Sequence, residues 1–405
     1  MRILTFTSLF PNARAPAFGI FIYQRVSHFA SRPGASVHVI APVPYFPTWL
    51  PMSKWRLHSQ VPKNEIIGNL SVYHPRYPLL PKVAMPLHGL LMFLGAYPCA
   101  RTLHRQFRFD CIDAHYVYPD GLAAVLIGRM LNLPVVISAR GTDINYFPAF
   151  KMIRPQIRWA LKQATGVIGV STPLKHAMVE LGALADCART IGNGIDLTRF
   201  QPLDRSQARR HLGLPLDAQI VVSVGALATA KGHPLLIRAI ARLATERSNL
   251  HAYVVGEGHY RRDLQRQARN LGVEDRIHLV GAYPNEQLKY WYSAADVSCL
   301  ASTREGWANV LLESLACGIP PVATRVGGAP EAITSADLGL LVEPNAEAIA
   351  AGLDAALKKS WDRNKLSYYA ATRTWDVVAE EMEEFLVEAV AKNKARISPA
   401  GDRIP

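Results

Sequence analysis

Residues 302–324 read STREGWANVLLESLACGIPPVAT, and the interpretation of this stretch decides that of the whole chain. Glu305 and Glu313 stand eight positions apart, and Gly306 opens an expected helix after a buried strand, Val297 to Leu300. A helix starting there aims unpaired amide N–H groups and the positive end of its dipole outward, so a diphosphate can bind without any Lys or Arg. Glu305 then lies at the helix mouth beside the reacting end of such a ligand. Glu313, two turns along, reaches a group lying beside the helix. Carboxylates accept hydrogen bonds from sugar hydroxyls, so a nucleotide sugar suits both. Spacing alone fits equally well a plain acidic residue at a helix start and a solvated Glu313.

Outward from this segment, short β-branched runs alternate with helical stretches: Ile220 to Val224, Ala252 to Val255, Ile277 to Val280, Val322 to Thr324 and Gly339 to Val342. An earlier series, Ile3 to Phe6, Ser36 to Ala41, Cys111 to Ala114, Val135 to Ser138 and Gly166 to Val170, does the same. Such alternation predicts parallel sheets, here two doubly wound α/β domains in series, as 405 residues also favour. The junction falls between Asn193 and Pro215, where Asn193-Gly194 and Pro202 interrupt the pattern. Two stretches resist it. Pro42 to Pro51 interleaves four prolines with Tyr45, Phe46 and Trp49 ahead of Lys54, Trp55 and Arg56, which excludes a helix. Tyr77 to Tyr97 is apolar with Lys82 and His88 and has room for a helix after Pro86. These are either an irregular loop and a core helix, or surface elements that touch a membrane or a lipid-linked ligand.

Charge is lopsided. Residues 1–200 hold 21 Lys/Arg against 8 Asp/Glu, and residues 201–405 hold 24 against 24, so the first half carries the whole excess of +13. A basic half attracts something anionic: nucleic acid, an anionic membrane surface or an acidic substrate. No basic motif or aromatic platform of a nucleic-acid binder accompanies it, so no nucleic acid is expected. No window supplies the roughly 18 apolar residues of a membrane-spanning helix. Ile3 to Phe10 reads as a buried strand rather than a secretory leader. Five cysteines without a C-x-x-C pair fit free thiols in a reducing compartment. A cytoplasmic protein is expected, with peripheral association on the inner membrane face as its extension.

Further strings recur in a fixed order: Asn193-Gly194-Ile195-Asp196 with Phe200, Ser223-Val224-Gly225, Lys231-Gly232, Val255-Gly256-Glu257-Gly258, Ala316-Cys317-Gly318-Ile319-Pro320, Val326-Gly327-Gly328 and Trp375. Together with Glu305 and Glu313, the E-x7-E pair, they make the chain resemble, over nearly its whole length, the retaining nucleotide-sugar glycosyltransferases of the GT-B fold, called family 4 or group 1. The resemblance implies an acceptor-side domain over residues 1–195, a donor domain over 196–372, a central cleft between them, and a crossover helix, roughly Trp375 to Lys392 within 373–405, returning to the first domain. It also implies that Glu305 contacts the transferred sugar, Glu313 the ribose, and the amides near Gly306, Trp307, Asn309 and Val310 the diphosphate. Gly225 lies in the donor loop, and Lys231 would neutralise the leaving group.

In the first half, Gly19 lets backbone approach a phosphate or acceptor closely, or serves only the turn before a helix bearing Ile22, Val26 and Phe29. Asp113-Ala114-His115 with Pro119-Asp120-Gly121 resembles a loop lining the family's cleft, making His115 a candidate cleft residue. Two departures stand out. Arg140-Gly141-Thr142-Asp143 has Arg where the family commonly has His, and an arginine can pair with phosphate but cannot act as a base. Ala226 stands where many members carry an Arg on the diphosphate, leaving Lys231, the amides and Arg140 for that charge. No metal-ligand spacing is present and the family needs no metal for its leaving group, so neither metal nor cofactor is expected. The expected activity is glycosyl transfer from a nucleoside diphosphate sugar to a glycan or lipid-linked acceptor. The alternatives are a catalytically silent nucleotide-sugar-binding scaffold and a GT-B sugar-nucleotide epimerase.

Overall fold

The computed structural model describes residues 1–45, 58–79 and 85–397. By internal contact the chain forms two units: Met1–Asn193 with the segment from Trp375 onward, and Gly194–Thr374. Lys54, Arg56 and Lys82, the cations of the two irregular stretches, lie outside the described residues.

In the first unit the strands are β1 (Arg2–Phe6), β2 (Ser36–Ile40), β3 (Val43–Tyr45), β4 (Asn64–Ile67), β5 (Leu70–Tyr73), β6 (Arg76–Pro78), β7 (Cys111–His115), β8 (Val135–Ala139), β9 (Gly166–Gly169) and β10 (Ala188–Thr190). Eight of them form one sheet in the order β10-β9-β8-β7-β1-β2-β5-β4, parallel except for β4, and β3 pairs with β6 alone. The central strands are buried along their whole length, as a sheet covered on both faces requires. β3 to β6 and β10 were not foreseen, because three or four residues of mixed polarity give no readable period. The helix expected after Pro86 is present as a turn, Met85–Leu87, and a helix, His88–Phe107, that continues through Pro98.

The second unit has β11 (Gln219–Val224), β12 (Leu250–Val255), β13 (Ile277–Gly281), β14 (Val297–Leu300), β15 (Pro321–Thr324) and β16 (Leu340–Val342) in a wholly parallel sheet, order β13-β12-β11-β14-β15-β16. The last helix, Trp375–Ile397, belongs to the first unit: Val378, Met382, Phe385 and Leu386 join Ile22, Val26 and Phe29 in its core. Strand order reverses at β1/β7 in one sheet and at β11/β14 in the other. The carboxyl ends of strands at such reversals form open crevices, and the loops following β1, β7, β11 and β14 carry most of the residues singled out above.

Candidate active site

The loop after β14 does not begin a helix at Gly306. Residues 303–308 are irregular and the helix is Asn309–Ala316, three residues later than expected. The cause is a second loop packed on the first. Gly328 N donates to Gly306 O (3.1 Å), and a Cβ on Gly327, whose φ is +53°, would lie 2.3 Å from Glu305 O. On the other side Gly232, at φ +63°, would place a Cβ 1.8 Å from Ala301 O, and Thr303 N donates to Ala230 O (2.9 Å). Two glycines in left-handed conformations thus clamp the Glu305 loop from both sides.

That clamp brings Lys231 to Glu305. Lys231 Nζ donates to Glu305 Oε1 at 2.6 Å, and the buried Ser302 donates its hydroxyl to the same oxygen at 2.6 Å. The Lys231 side chain is 32% exposed and that of Glu305 8%, so the ammonium faces outward while the carboxylate is held. The stem of Lys231 passes over Gly225, within 3.7 Å of where a Cβ would stand. Ala226 is exposed, and its carbonyl accepts from Nε2 of the buried His233 at 3.2 Å. Burial drives His233 down to about 4, which keeps it neutral.

Asn309 and Val310 are half-buried in the first turn of their helix, which has Ala308 at its cap and no acidic residue in that turn. The positive end of the dipole there is uncompensated by side chains of the helix itself. Trp307 packs on the core of the unit, its indole N–H buried without a partner among the described residues. Glu313 sits one turn into the helix, not two, and is not a solvated residue. Burial pushes its carboxyl up to about 7, against the opposing influence of the Tyr292 hydroxyl, which donates to Oε2 at 2.8 Å, and of Lys231.

In the first unit the candidates form a different kind of centre. His115 is fully buried, so it lines no surface. Its Nδ1 accepts from Arg140 Nη2 (2.6 Å) and its Nε2 lies 3.0 Å from Asp113 Oδ2. A guanidinium only donates and a carboxylate only accepts, so the ring is neutral with its proton on Nε2. Burial, helped by Arg140, takes His115 down to about 4. Burial alone would raise Asp113, but His115, Arg25 and Arg140 hold it below the ordinary carboxylate range. Arg140 also donates to Asn193 Oδ1 (3.2 Å), and the buried Arg25 donates to the carbonyls of Ile191 (2.7 Å) and Gly192 (3.0 Å). These contacts spend Arg140 on its own unit. Asp143 is equally committed, its buried carboxylate accepting from the amides of Val117 (2.8 Å), Arg140 (3.0 Å) and Gly141 (2.7 Å).

Of the two roles open to Gly19, the structure favours the turn. At φ +66° a Cβ there would lie 2.2 Å from Leu9 O, so the close approach is to the chain's own turn. Beside it, Asp120 is fully buried and accepts from Ser8 N and from Ser8 Oγ (3.1 Å). Arg25, Asp120, His233 and Tyr292 were missed as site residues. Asp120 stood in a quoted motif; nothing in the spacing of the others marks them.

Comparison with known proteins identifies the family. The family model for glycosyl transferases group 1 matches residues 204–373, and that for glycosyltransferase family 4 matches residues 28–199. The chain is 30% identical over 361 residues, 86% of its length and 87% of the relative's, to a Bacillus subtilis (strain 168) glycosyltransferase named for teichuronic acid biosynthesis, TuaC. It is 36% identical over 317 residues to D-inositol 3-phosphate glycosyltransferase 2 of Catenulispora acidiphila, covering 72% of this chain and 73% of that one. Among solved structures, HepE of Anabaena in complex with UDP superposes with a TM-score of 0.71 at 21% identity, over 96% of this chain and all of that one. With both family models matched in order and a relative aligned over most of both chains, this protein belongs to the group 1, family 4 glycosyltransferases, enzymes of the GT-B fold.

Proposed function

We propose that the enzyme transfers a sugar from a nucleoside diphosphate sugar to a hydroxyl group with retention of anomeric configuration. Its acceptor is a lipid-linked or polysaccharide intermediate of envelope or exopolysaccharide synthesis. The observation that carries the donor half is the Lys231–Glu305 pair, fixed by two glycines next to an acid-free helix start. The teichuronic acid relative supports the acceptor class, and HepE makes uracil the first base to try.

In this reading the amides near Trp307, in the loop, and Asn309 and Val310, in the first turn, hold the diphosphate, and Glu313 accepts hydrogen bonds from the ribose. Lys231, already a third exposed, swings from Glu305 to the leaving phosphate and stabilises its growing charge. Glu305, freed, accepts from a hydroxyl of the transferred sugar. The bond from the anomeric carbon to the phosphate oxygen breaks as the acceptor oxygen bonds to the same face, and the departing phosphate takes the acceptor proton. No protein base and no metal is required by these steps. Arg140, Asp143, His115 and Gly19 act as positioning residues of the acceptor-side unit.

Thermal unfolding of wild type and Glu313→Ala with UDP, GDP and ADP tests the donor site. A nucleotide at about 100 times its dissociation constant adds about 2.7 kcal/mol of stability. Stabilisation by one nucleotide, lost in the variant, is the expected result; silence from all three overturns it. The anomeric proton coupling of the first product decides retention.

A further inference from the structure

The helix His88–Phe107 packs one side on the first unit through Gly89, Met92, Ala96, Ala100 and Leu103. At 100° per residue, the side opposite that row carries Leu87, Leu90 and Leu94, then Arg101 and Arg105. The three leucines are 53%, 44% and 57% exposed, and both arginines are exposed. At the leucine end, Gln156 donates to Pro86 O (2.9 Å) and to Met152 O, which brings up Met152, itself 70% exposed, with Lys151 beside it. Exposed apolar side chains scattered singly need no explanation, but three in register along one helix and its leading turn, joined by a fourth from another element, do.

The charges say what covers them. No Asp or Glu occurs from residue 66 to 109 or from 144 to 179, while those stretches hold Arg76, Lys82, Arg101, Arg105, Arg108 and Lys151, Arg154, Arg158, Lys162, Lys175. A second copy of this chain would bring like charge against like charge. An anionic lipid surface satisfies both halves of the stripe, burying leucines at the acyl boundary while the arginines meet headgroups. No helix among the described residues is long and apolar enough to cross a membrane, so the contact lies in the interface plane.

We infer that the outward stripe Leu87–Leu90–Leu94–Arg101–Arg105, with Met152, is the face by which this enzyme docks on an anionic phospholipid surface. It deepens the lipid-linked acceptor reading, but the docking itself needs no catalysis. His88, the residue next to Leu87, lines a cavity of about 390 Å³ of the same unit, shared with Ser8, Phe18, Pro42 and Tyr77.

The test is co-sedimentation of the full chain with vesicles of equal parts phosphatidylglycerol and phosphatidylcholine, and with phosphatidylcholine alone. We expect partition at least tenfold stronger on the anionic vesicles. Leu90→Gln/Leu94→Gln and Arg101→Gln/Arg105→Gln should each weaken it about tenfold, with circular dichroism and Tm unchanged. Leu216→Gln, an equally exposed leucine of the second unit, should bind as wild type. Wild type remaining in the supernatant overturns the proposal, as does a leucine variant that binds normally, which would leave only bulk charge or an acidic protein partner. Transfer to a water-soluble acceptor, measured in parallel, separates this failure from failure of the proposed activity: a non-binding variant should keep it.

Discussion

Two charged centres, one in each unit, are built on opposite principles. Lys231–Glu305 joins a third-exposed ammonium to a held carboxylate through one contact, and the loops around it are fixed by glycine backbone rather than by charge. Asp113 and His115 are buried, the neutral ring of His115 stands between the Asp113 carboxylate and the Arg140 guanidinium, and Arg140 donates onward to Asn193. A pair that reaches solvent can exchange a partner for a ligand at little cost. A buried one cannot, because leaving either charge alone in a low dielectric is expensive. The first arrangement suits chemistry, the second suits holding a strand end in place.

Breaking the sealed centre should therefore cost most, and in stability. Asp113→Ala strands the cations of Arg25 and Arg140, and we expect about 3 to 5 kcal/mol of destabilisation in urea unfolding. Transfer per folded molecule should fall less than tenfold. Acid attacks this centre through His115 and the second unit through His233, both of which hold values of about 4 in the folded state, below the ordinary 6.5. The folded protein thus binds fewer protons than the unfolded chain between those limits, and stability is lost as pH falls from 6.5 to 4.

At the open pair the balance reverses. Lys231→Ala should lower kcat about 100- to 1000-fold, as loss of one preorganised charge stabiliser does, with Tm of the unliganded protein within a degree or two of wild type. An intermediate case sharpens the contrast, since Gly232 serves the open site through backbone. Gly232→Ala forces a Cβ onto Ala301 O and strains a left-handed residue, and should cost more than about 1 kcal/mol and at least tenfold in nucleotide affinity by calorimetry.

The smallest effect is the most diagnostic. Glu313 titrates near 7 when folded, above the ordinary 4.5, so the folded protein keeps a proton the unfolded chain sheds, and stability declines as pH rises between those values. Glu313→Gln removes that cost. The unliganded variant should be more stable than wild type at pH 8 and close to it near pH 4.5, while binding nucleotide more weakly.

The sheets were legible because long parallel strands read as unbroken apolar runs, and the loops after β11 and β14 drew notice because Lys231, Glu305 and Gly306 follow strand ends. The helix start was misplaced because what delays it, Gly327 against Glu305 O, comes from a loop over twenty residues away. Glu313's environment was illegible for the same reason: Tyr292 lies on another helix. His115 and Arg140 were found as residue types but assigned outward roles, since sequence does not tell that Asp113, Arg25 and Asn193 converge on them. Tertiary neighbours, rather than local pattern, decide burial and hence protonation.

The placement of helix Trp375–Ile397 sets the order in which the protein can be finished. The second unit is one continuous segment, Gly194–Thr374, whereas the first lacks Val378, Met382, Phe385 and Leu386 from its core until that helix has been made. On the ribosome the second unit can complete itself while the first waits with an open apolar groove. The half that is made first is therefore the last to close.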